Sequence, residues 1–292
     1  MGSISLGRKI MNNLKNCKKI LVEVNQTCNL NCSYCFYRDY GRVINQLSLD
    51  NVKEMLDNCP KLEECFLTGG ECFTSKNIDQ IIDLLTAKCY LTVFTNGVRL
   101  NNYDDKRLTS TVNKVNRFII SFDHYDVDNY KCRSNLDKTL SVIKRILAID
   151  SERLEVKVCI TKFNSDELDN IFKYLVDLGV KYLSINFIFD IKNTIYKHEV
   201  KNKGDLKKIF KIIYKYFDYF NKTYIDVLKE LYLNGKYLDK YPCIADSEYY
   251  YLDCCNNYYI CPGNNKELGC RGDCKNCYSK ECANEWEIMY RR

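Results

Sequence analysis

Short apolar runs alternate with amphipathic stretches between residue 19 and about residue 190. The runs are rich in β-branched and aromatic residues, as expected for strands that are buried on both faces. They predict six strands, at residues 20–24, 65–68, 90–95, 118–122, 154–160 and 182–187. Strands that alternate with helices in this way predict an α/β fold with a parallel sheet.

The stretches between the strands have the period of amphipathic helices. Ser48 is expected to cap a helix that Pro60 closes. Asn164 with Glu167 is expected to cap a later helix that ends at Gly179. Six β–α units in succession predict a partial (β/α)6 TIM-like barrel, in which the chemistry gathers at the carboxyl ends of the strands.

The chain beyond this barrel, which we expect over residues 18–200, divides into two further parts. Residues 201–242 predict a helical bridge with lysines opposite one apolar face, made of Leu206, Ile209, Phe210, Ile213, Phe217 and Phe220. A solvated face on a packing helix is the simpler interpretation; a basic, tyrosine-rich surface that docks an acidic peptide is the alternative. Residues 243–292 carry eight cysteines within forty positions and little periodicity, which predicts a small cysteine-rich extension folded around metal.

Cysteine usage narrows the class of protein. The 292 residues include 18 cysteines and 2 histidines, with no export signal and no membrane-spanning run, so a cytoplasmic protein is expected. Clustered cysteines there more often bind metal than form disulfides. Because histidines are few, iron–sulfur clusters fit better than mixed Cys/His zinc sites. The net charge of +6 is too small and too evenly spread to predict a nucleic-acid partner.

The decisive segment directly follows the first predicted strand. Its cysteines, Cys28, Cys32 and Cys35, have the spacing C-x3-C-x2-C, which can hold three corners of a cubane cluster. The fourth iron then has no protein ligand and is open to a substrate or cofactor, as the open position on catalytic zinc is. A structural zinc knuckle is the alternative interpretation of the spacing alone.

This loop, with the aromatic Tyr34 just before its third cysteine, resembles the cluster-binding loop of the radical S-adenosylmethionine (SAM) superfamily. The resemblance implies a [4Fe–4S] cluster whose open iron is chelated by SAM, with Tyr34 near the adenine. It further implies cofactor-binding roles for residues at the ends of later strands, namely Gly69, Gly70, Glu71, Asn96, Ser121, Asp123 and Arg133. Two glycines permit close backbone approach, and a guanidinium can bind both oxygens of a carboxylate. Cys72 stands where the family often has proline, and its role stays open.

The cysteine-rich extension resembles the SPASM and twitch extensions of radical SAM enzymes, which carry auxiliary [4Fe–4S] clusters. The resemblance implies at least one auxiliary cluster, with ligands drawn from Cys243, Cys261, Cys270, Cys274, Cys277 and Cys282. Asn256 occupies the glycine position of the first signature, and asparagine tolerates the positive φ that such a turn requires. The roles of Cys254 and Cys255 stay open. Tetrathiolate zinc is the alternative, because it uses the same ligands.

The family resemblance also implies a reaction. SAM is reductively cleaved to a 5′-deoxyadenosyl radical, which abstracts hydrogen from a substrate; the reducing electron comes from a donor such as ferredoxin or flavodoxin. SPASM-type enzymes mostly modify peptides or proteins, so crosslinking or oxidative maturation of a ribosomally made peptide is the first expectation. Oxidation of a small alcohol or sugar is the second. A non-catalytic zinc-binding scaffold is the alternative of another class.

Overall fold

The computed structural model describes residues 13–35, 37, 42–188, 198–234 and 248–259. Six strands fall where the apolar runs predict them, within one residue at each end, and two more follow later in the chain. The strands are β1 (Lys19–Glu23), β2 (Glu64–Thr68), β3 (Tyr90–Thr95), β4 (Arg117–Ser121), β5 (Leu154–Ile160), β6 (Tyr182–Phe187), β7 (Tyr249–Leu252) and β8 (Tyr258–Tyr259).

The helices pack their apolar faces against the sheet. They are α1 (Leu49–Asn58), α2 (Ile78–Thr86), α3 (Asp105–Lys114), α4 (Leu136–Asp150), α5 (Leu168–Asp177), α6 (Lys203–Lys215) and α7 (Lys222–Asn234). The predicted Ser48 cap is confirmed as a capping box with Asn51. The predicted capping pair of Asn164 and Glu167 is wrong, because the Asn164 side chain makes no cap bond and contacts the ends of two strands instead.

The sheet has the order β6-β5-β4-β3-β2-β1-β7-β8 and does not close, since β6 and β8 are its edges. All neighbouring strands are parallel except β7 and β8. The predicted α/β architecture of a partial (β/α)6 barrel is therefore confirmed. Side chains alternate across each strand, so one set packs under the helices and the other lines the inside of the curved sheet, here called the lumen.

The β7–β8 hairpin lies in the segment after residue 243, whose sequence has little periodicity. β7 pairs in parallel with β1, with Val22 opposite Leu252, and β8 folds back on β7. Asn256 lies in the turn between them with φ of 65°, so asparagine does occupy a left-handed position where the signature has glycine. Asp253 organises the turn, because one of its carboxylate oxygens accepts hydrogen bonds from the backbone N–H groups of Cys255 and Asn257.

The bridge also differs from the prediction. The apolar face of Leu206, Ile209, Phe210 and Ile213 is buried on α6, but the helix ends at Lys215. Phe217 therefore begins a short 3-10 turn, and Phe220 follows it before α7. Both phenylalanines pack on the core from this turn rather than from the predicted helix. No helix in the described ranges is both long and apolar enough to cross a lipid bilayer.

Candidate active site at the carboxyl edge of the sheet

The loop with the three predicted cluster cysteines, here called the cluster loop (residues 25–35), begins where β1 ends. Cys32 is buried, whereas Cys28 and Cys35 are half-buried. The three cysteines lie near one another, because Cys28 and Cys35 pack against the small buried cluster that contains Cys32. Burial, more than these neighbours, raises the pKa of Cys32 to about 11. The site is thus a set of three neighbouring thiols at the edge where catalysis is expected.

The loop is held from three directions. Arg42 donates to the carbonyl oxygens of Cys28 and Leu30, each at 3.4 Å. The backbone N–H of Ser33 donates to the carbonyl of Cys132 at 2.9 Å, across 99 residues of chain. These bonds place the loop against the segment that carries Arg133.

Asn96 supplies the third contact, from the end of β3. Its side-chain Nδ2 lies 3.7 Å from the Cys28 Sγ and 3.0 Å from the Asn29 Oδ1. Its Oδ1 accepts from the backbone N–H of Val98 at 3.0 Å, which fixes the orientation of the amide. A donor aimed at a ligating sulfur is a recognised way for a protein to tune a cluster.

Gly69 and Gly70 lie directly against the backbone that leads into the cluster loop. A Cβ at Gly70 would stand 2.4 Å from the carbonyl oxygen of Gln26 and 2.6 Å from that of Thr27. A Cβ at Gly69 would stand 2.6 Å from the carbonyl oxygen of Asn25. The two glycines are therefore required for close approach of two backbone segments, in addition to any approach to a cofactor.

Glu71 is 2% exposed, and its carboxylate accepts several hydrogen bonds from the protein itself. Its Oε1 accepts from Thr95 Oγ1 at 2.7 Å and its Oε2 from the backbone N–H of Asn96 at 2.7 Å. Burial nevertheless raises the pKa of Glu71, because these donors only partly offset the loss of water. The side chain thus holds the end of β3, and with it Asn96, in place.

Tyr34, Asp123 and Arg133 form one hydrogen-bonded group beside Cys32. Asp123 is 0% exposed and Arg133 is 8% exposed. The Arg133 Nε donates to Asp123 Oδ2 at 2.8 Å and to the Tyr34 hydroxyl at 3.0 Å. The Tyr34 hydroxyl also donates to Asp123 Oδ2, and the guanidinium lies 5.8 Å from the centre of the Tyr34 ring. The structure therefore brings three of the predicted residues together.

Other residues at this edge were not found by sequence reasoning. The Asn164 Nδ2 donates to the carbonyl oxygens of Asp123 and Cys159, each at 3.0 Å. The backbone N–H of Cys159 donates to Asp123 Oδ1 at 2.9 Å. Glu23, at the end of β1, is 1% exposed and accepts a hydrogen bond from Gln26 of the cluster loop. An acidic residue inside an otherwise apolar strand was the available signal for Glu23.

The remaining predicted residues have the following positions. Ser121 is half-buried at the carboxyl end of β4, and Cys72 is buried, with its thiol 3.3 Å from the carbonyl oxygen of Phe94. The hairpin turn brings a buried Cys254 and an exposed Cys255 to the same edge as the cluster loop. The six predicted auxiliary ligands, Cys243, Cys261, Cys270, Cys274, Cys277 and Cys282, lie outside the described residues.

The donor set fits a cubane cluster with an open iron. Three thiols on one loop would supply one ligand to each of three irons, and Asn96 offers a donor to one of the sulfurs. Within the described ranges, no three His, Cys, Asp or Glu side chains converge on the position of a single metal ion.

Residues 22–161, which include the cluster loop and make up just under half of the chain, match the Radical SAM superfamily. It is 24% identical over 161 residues to the probable GTP 3',8-cyclase of Methanocella arvoryzae, covering 53% of this chain and 52% of the relative. It is 24% identical over 176 residues to the antilisterial bacteriocin subtilosin biosynthesis protein AlbA of Bacillus subtilis, covering 58% and 39%. The chain thus spans about half the length of the first of these relatives.

Solved structures share the fold over most of the chain. SuiB of Streptococcus suis bound to the precursor peptide SuiA has a TM-score of 0.66 and 14% identity, covering 88% of this chain and 62% of SuiB. The enzyme anSMEcpe with bound AdoMet and the Cp18Cys peptide has a TM-score of 0.63 and 16% identity, covering 92% and 88%. At these identities the likeness describes the fold.

Proposed function

We propose that this protein reductively cleaves SAM to a 5′-deoxyadenosyl radical and uses it to abstract hydrogen from a peptide or protein substrate. The observation that carries the proposal is the cluster loop, where three neighbouring thiols lie beside the Tyr34–Asp123–Arg133 group at the carboxyl edge of the sheet. When bound there, a [4Fe–4S] cluster and SAM supply the radical chemistry, and the barrel shields it from water.

The residues of the chain have distinct parts in this proposal. Cys28, Cys32 and Cys35 hold the cluster. Arg133 offers a cation to the SAM carboxylate, and Asp123 fixes the orientation of the guanidinium through Nε. Tyr34 packs near the adenine.

The remaining residues of the site shape the pocket around the cofactor. Gly69, Gly70 and Glu71 shape the wall beside the cluster loop, and Glu71 is also the proposed partner of the SAM ammonium group. Asn96 and Ser121 border the cofactor from the ends of β3 and β4. Since Asn96 approaches the Cys28 sulfur, it is also expected to influence the reduction potential of the cluster.

A peptide substrate is supported by the proteins that this chain is similar to. SuiB and anSMEcpe, which share the fold, have been solved with peptides, and AlbA acts in bacteriocin biosynthesis.

Three further parts of the proposal follow from the family. The division into a barrel (18–200), a helical bridge (201–242) and an auxiliary-cluster domain (243–292) is kept, with at least one auxiliary [4Fe–4S] cluster held by the six cysteines named above. The reducing electron comes from ferredoxin or flavodoxin. The protein works in the cytoplasm, where its thiols stay reduced.

The first experiment is anaerobic reconstitution with iron and sulfide, followed by dithionite and SAM. A brown protein that releases 5′-deoxyadenosine is expected. The C28A/C32A/C35A variant should release none, whereas C255A, which changes an exposed thiol of the hairpin, serves as the matched control. Stoichiometric zinc with no SAM cleavage would instead support the zinc-binding scaffold.

The second experiment separates the substrate classes by their products. Candidate precursor peptides encoded beside the gene, GTP, and small alcohols or sugars are each supplied to the active protein. A peptide that loses two hydrogens in mass supports the proposal. Consumption of GTP, or formation of a small ketone, would contradict the peptide assignment and leave SAM cleavage intact.

A further inference from the structure

Glu23 occupies an unusual position for a carboxylate. It is the last residue of β1, is 1% exposed, and follows three apolar residues of the strand. Burial raises its pKa. A buried carboxylate is costly unless several donors point at it, so the identity of those donors shows what the side chain holds together.

Two of the donors flank the cluster cysteines along the chain. The Gln26 Nε2, just before Cys28, donates to Glu23 Oε2 at 3.2 Å. The Tyr37 hydroxyl, just after Cys35, donates to Glu23 Oε1. The Gln26 Oε1 in turn accepts from the backbone N–H of Val43 at 2.8 Å. One carboxylate therefore joins the two ends of the cluster loop.

Two further polar groups near this carboxylate come from the hairpin, more than two hundred residues later. The Tyr251 hydroxyl and the backbone N–H of Cys254 lie close enough to Glu23 to interact with it electrostatically. Parallel pairing of β1 with β7 brings them there, since Leu21 lies opposite Tyr251. The second carboxylate of this region, Asp253, is used within the turn itself, where it accepts from Tyr259 at 3.0 Å.

We infer that Glu23 is a positioning residue that couples the cluster loop to the β7–β8 hairpin, so that the placement of the three cluster thiols depends on the C-terminal part of the chain. The expected effect on SAM cleavage rests on the proposed function. The expected effect on the order of the cluster loop does not, because it can be measured with or without a cluster. Loss of the shared acceptor removes one interaction partner from groups on both sides.

The hairpin offers a matched pair of variants for the test. Tyr251→Phe removes the hydroxyl that reaches Glu23, and Tyr259→Phe removes one that reaches Asp253 in the same hairpin. Glu23→Leu removes the acceptor, and Glu23→Gln keeps an acceptor but turns an amide N–H₂ toward one of the donors. Each full-length variant is studied without iron and after anaerobic reconstitution.

Alkylation of the iron-free protein measures how accessible the three thiols of the cluster loop are. Faster labelling of Cys28, Cys32 and Cys35 is expected in Glu23→Leu and Tyr251→Phe, while Tyr259→Phe behaves as wild type and the buried Cys65 stays protected in all variants. After reconstitution, Glu23→Leu is expected to lose SAM cleavage by about 10- to 100-fold, with partial rescue in Glu23→Gln and a weaker SAM-induced change in the electron paramagnetic resonance spectrum.

Two results would overturn the inference: equal labelling in Tyr251→Phe and Tyr259→Phe, or unchanged labelling of the loop in Glu23→Leu. These outcomes are independent of whether the wild-type protein cleaves SAM. Absence of cleavage in the wild type would count against the proposed function alone, since the labelling still decides the coupling.

Discussion

Charged side chains at the two ends of the parallel sheet differ in how deeply they are buried. At the amino-terminal end, the pairs Lys19–Glu64 and Arg117–Glu155 retain partial contact with water. At the carboxyl end, Asp123 is completely buried and shares one oxygen between a guanidinium and a tyrosine hydroxyl. The ion pairs at the amino-terminal end contribute modestly to stability. Removal of one member of the buried Asp123 group at the carboxyl end should strongly destabilise the protein.

This difference separates residues that maintain the fold from those that build the site. Buried carboxylates at the carboxyl end take their hydrogen bonds from different strands and loops, so each one fixes the relative position of several segments. Ion pairs at the other end join neighbouring strands that the sheet already aligns. Substitutions at the two ends should therefore affect activity and stability in different proportions.

The largest effect is expected for the cluster cysteines. C32A should abolish both the main cluster and SAM cleavage, because a cubane that lacks one of three protein ligands is not retained. The measurement is iron content and 5′-deoxyadenosine release after reconstitution. C65A changes a buried thiol within β2 and should keep both the cluster and SAM cleavage. Loss of SAM cleavage in C65A but not in C32A would contradict the prediction.

The buried ion pair comes next. Arg133→Met should lower the free energy of unfolding by about 3–5 kcal/mol, because it leaves the Asp123 carboxylate buried without its cation. Unfolding in urea measures this loss. The double variant Arg133→Met/Asp123→Asn should recover much of the stability without recovering SAM cleavage; recovery of both would argue against a role for Arg133 toward SAM.

Gly70→Ala tests the close backbone approach. The added Cβ would meet two backbone oxygens of Gln26 and Thr27 at 2.4 and 2.6 Å, so the cluster loop must shift. A reduction of SAM cleavage by about 10-fold or more is expected from displacement of this supporting backbone. Gly179→Ala is the control for a glycine far from the site, since its positive φ strains the variant but nothing lies within 4 Å. Equal activity losses in both would contradict the prediction.

Arg117→Met applies the same change at the other end of the sheet. The substitution should lower the free energy of unfolding by about 1–3 kcal/mol, because it leaves the largely buried Glu155 without Arg117 as its partner. SAM cleavage should change little under conditions where the protein is folded. A loss of SAM cleavage as large as that of Arg133→Met would remove the distinction between the two ends.

The smallest effect concerns pH. Burial raises the pKa of Glu71 in the folded state, so folding favours its protonated form. Its contribution to stability is therefore fully present below the ordinary pKa of glutamate and is lost as pH rises through the higher pKa of the folded state. Urea unfolding at pH 4.5 and 7 should show that the stability advantage of wild type over Glu71→Gln shrinks at the higher pH. A growing advantage would show that folding lowers the pKa of Glu71.

Periodicity predicted the barrel well but not the whole sheet. The six early strands are long enough, and rich enough in β-branched residues, for the pattern to be clear. β7 is a run of three tyrosines and a leucine, and β8 has two residues, so neither has a local signal. Their strand structure depends on pairing with β1, which is a tertiary contact.

The site was predicted to a different degree in each part. Cysteine spacing and resemblance led to the cluster loop. Arg133 contacts Asp123 and Tyr34 beside that loop, and the contacts of these residues with SAM stay a prediction. The prediction that Asn164 caps a helix with Glu167 was wrong. Its side chain donates instead to two backbone carbonyl groups, which only the folded barrel brings near. The partners of Glu23 could not be predicted, since they are assembled from both ends of the described chain.

The pairing of β1 with β7 has a consequence during synthesis. Lys18 and Glu248, which bond to each other at the start of these strands, are 230 residues apart in the chain. Once the first six strands have left the ribosome, one edge of β1 still has no neighbour, and an open strand edge can pair with another chain. Nascent copies cut short before β7 should therefore be prone to aggregate.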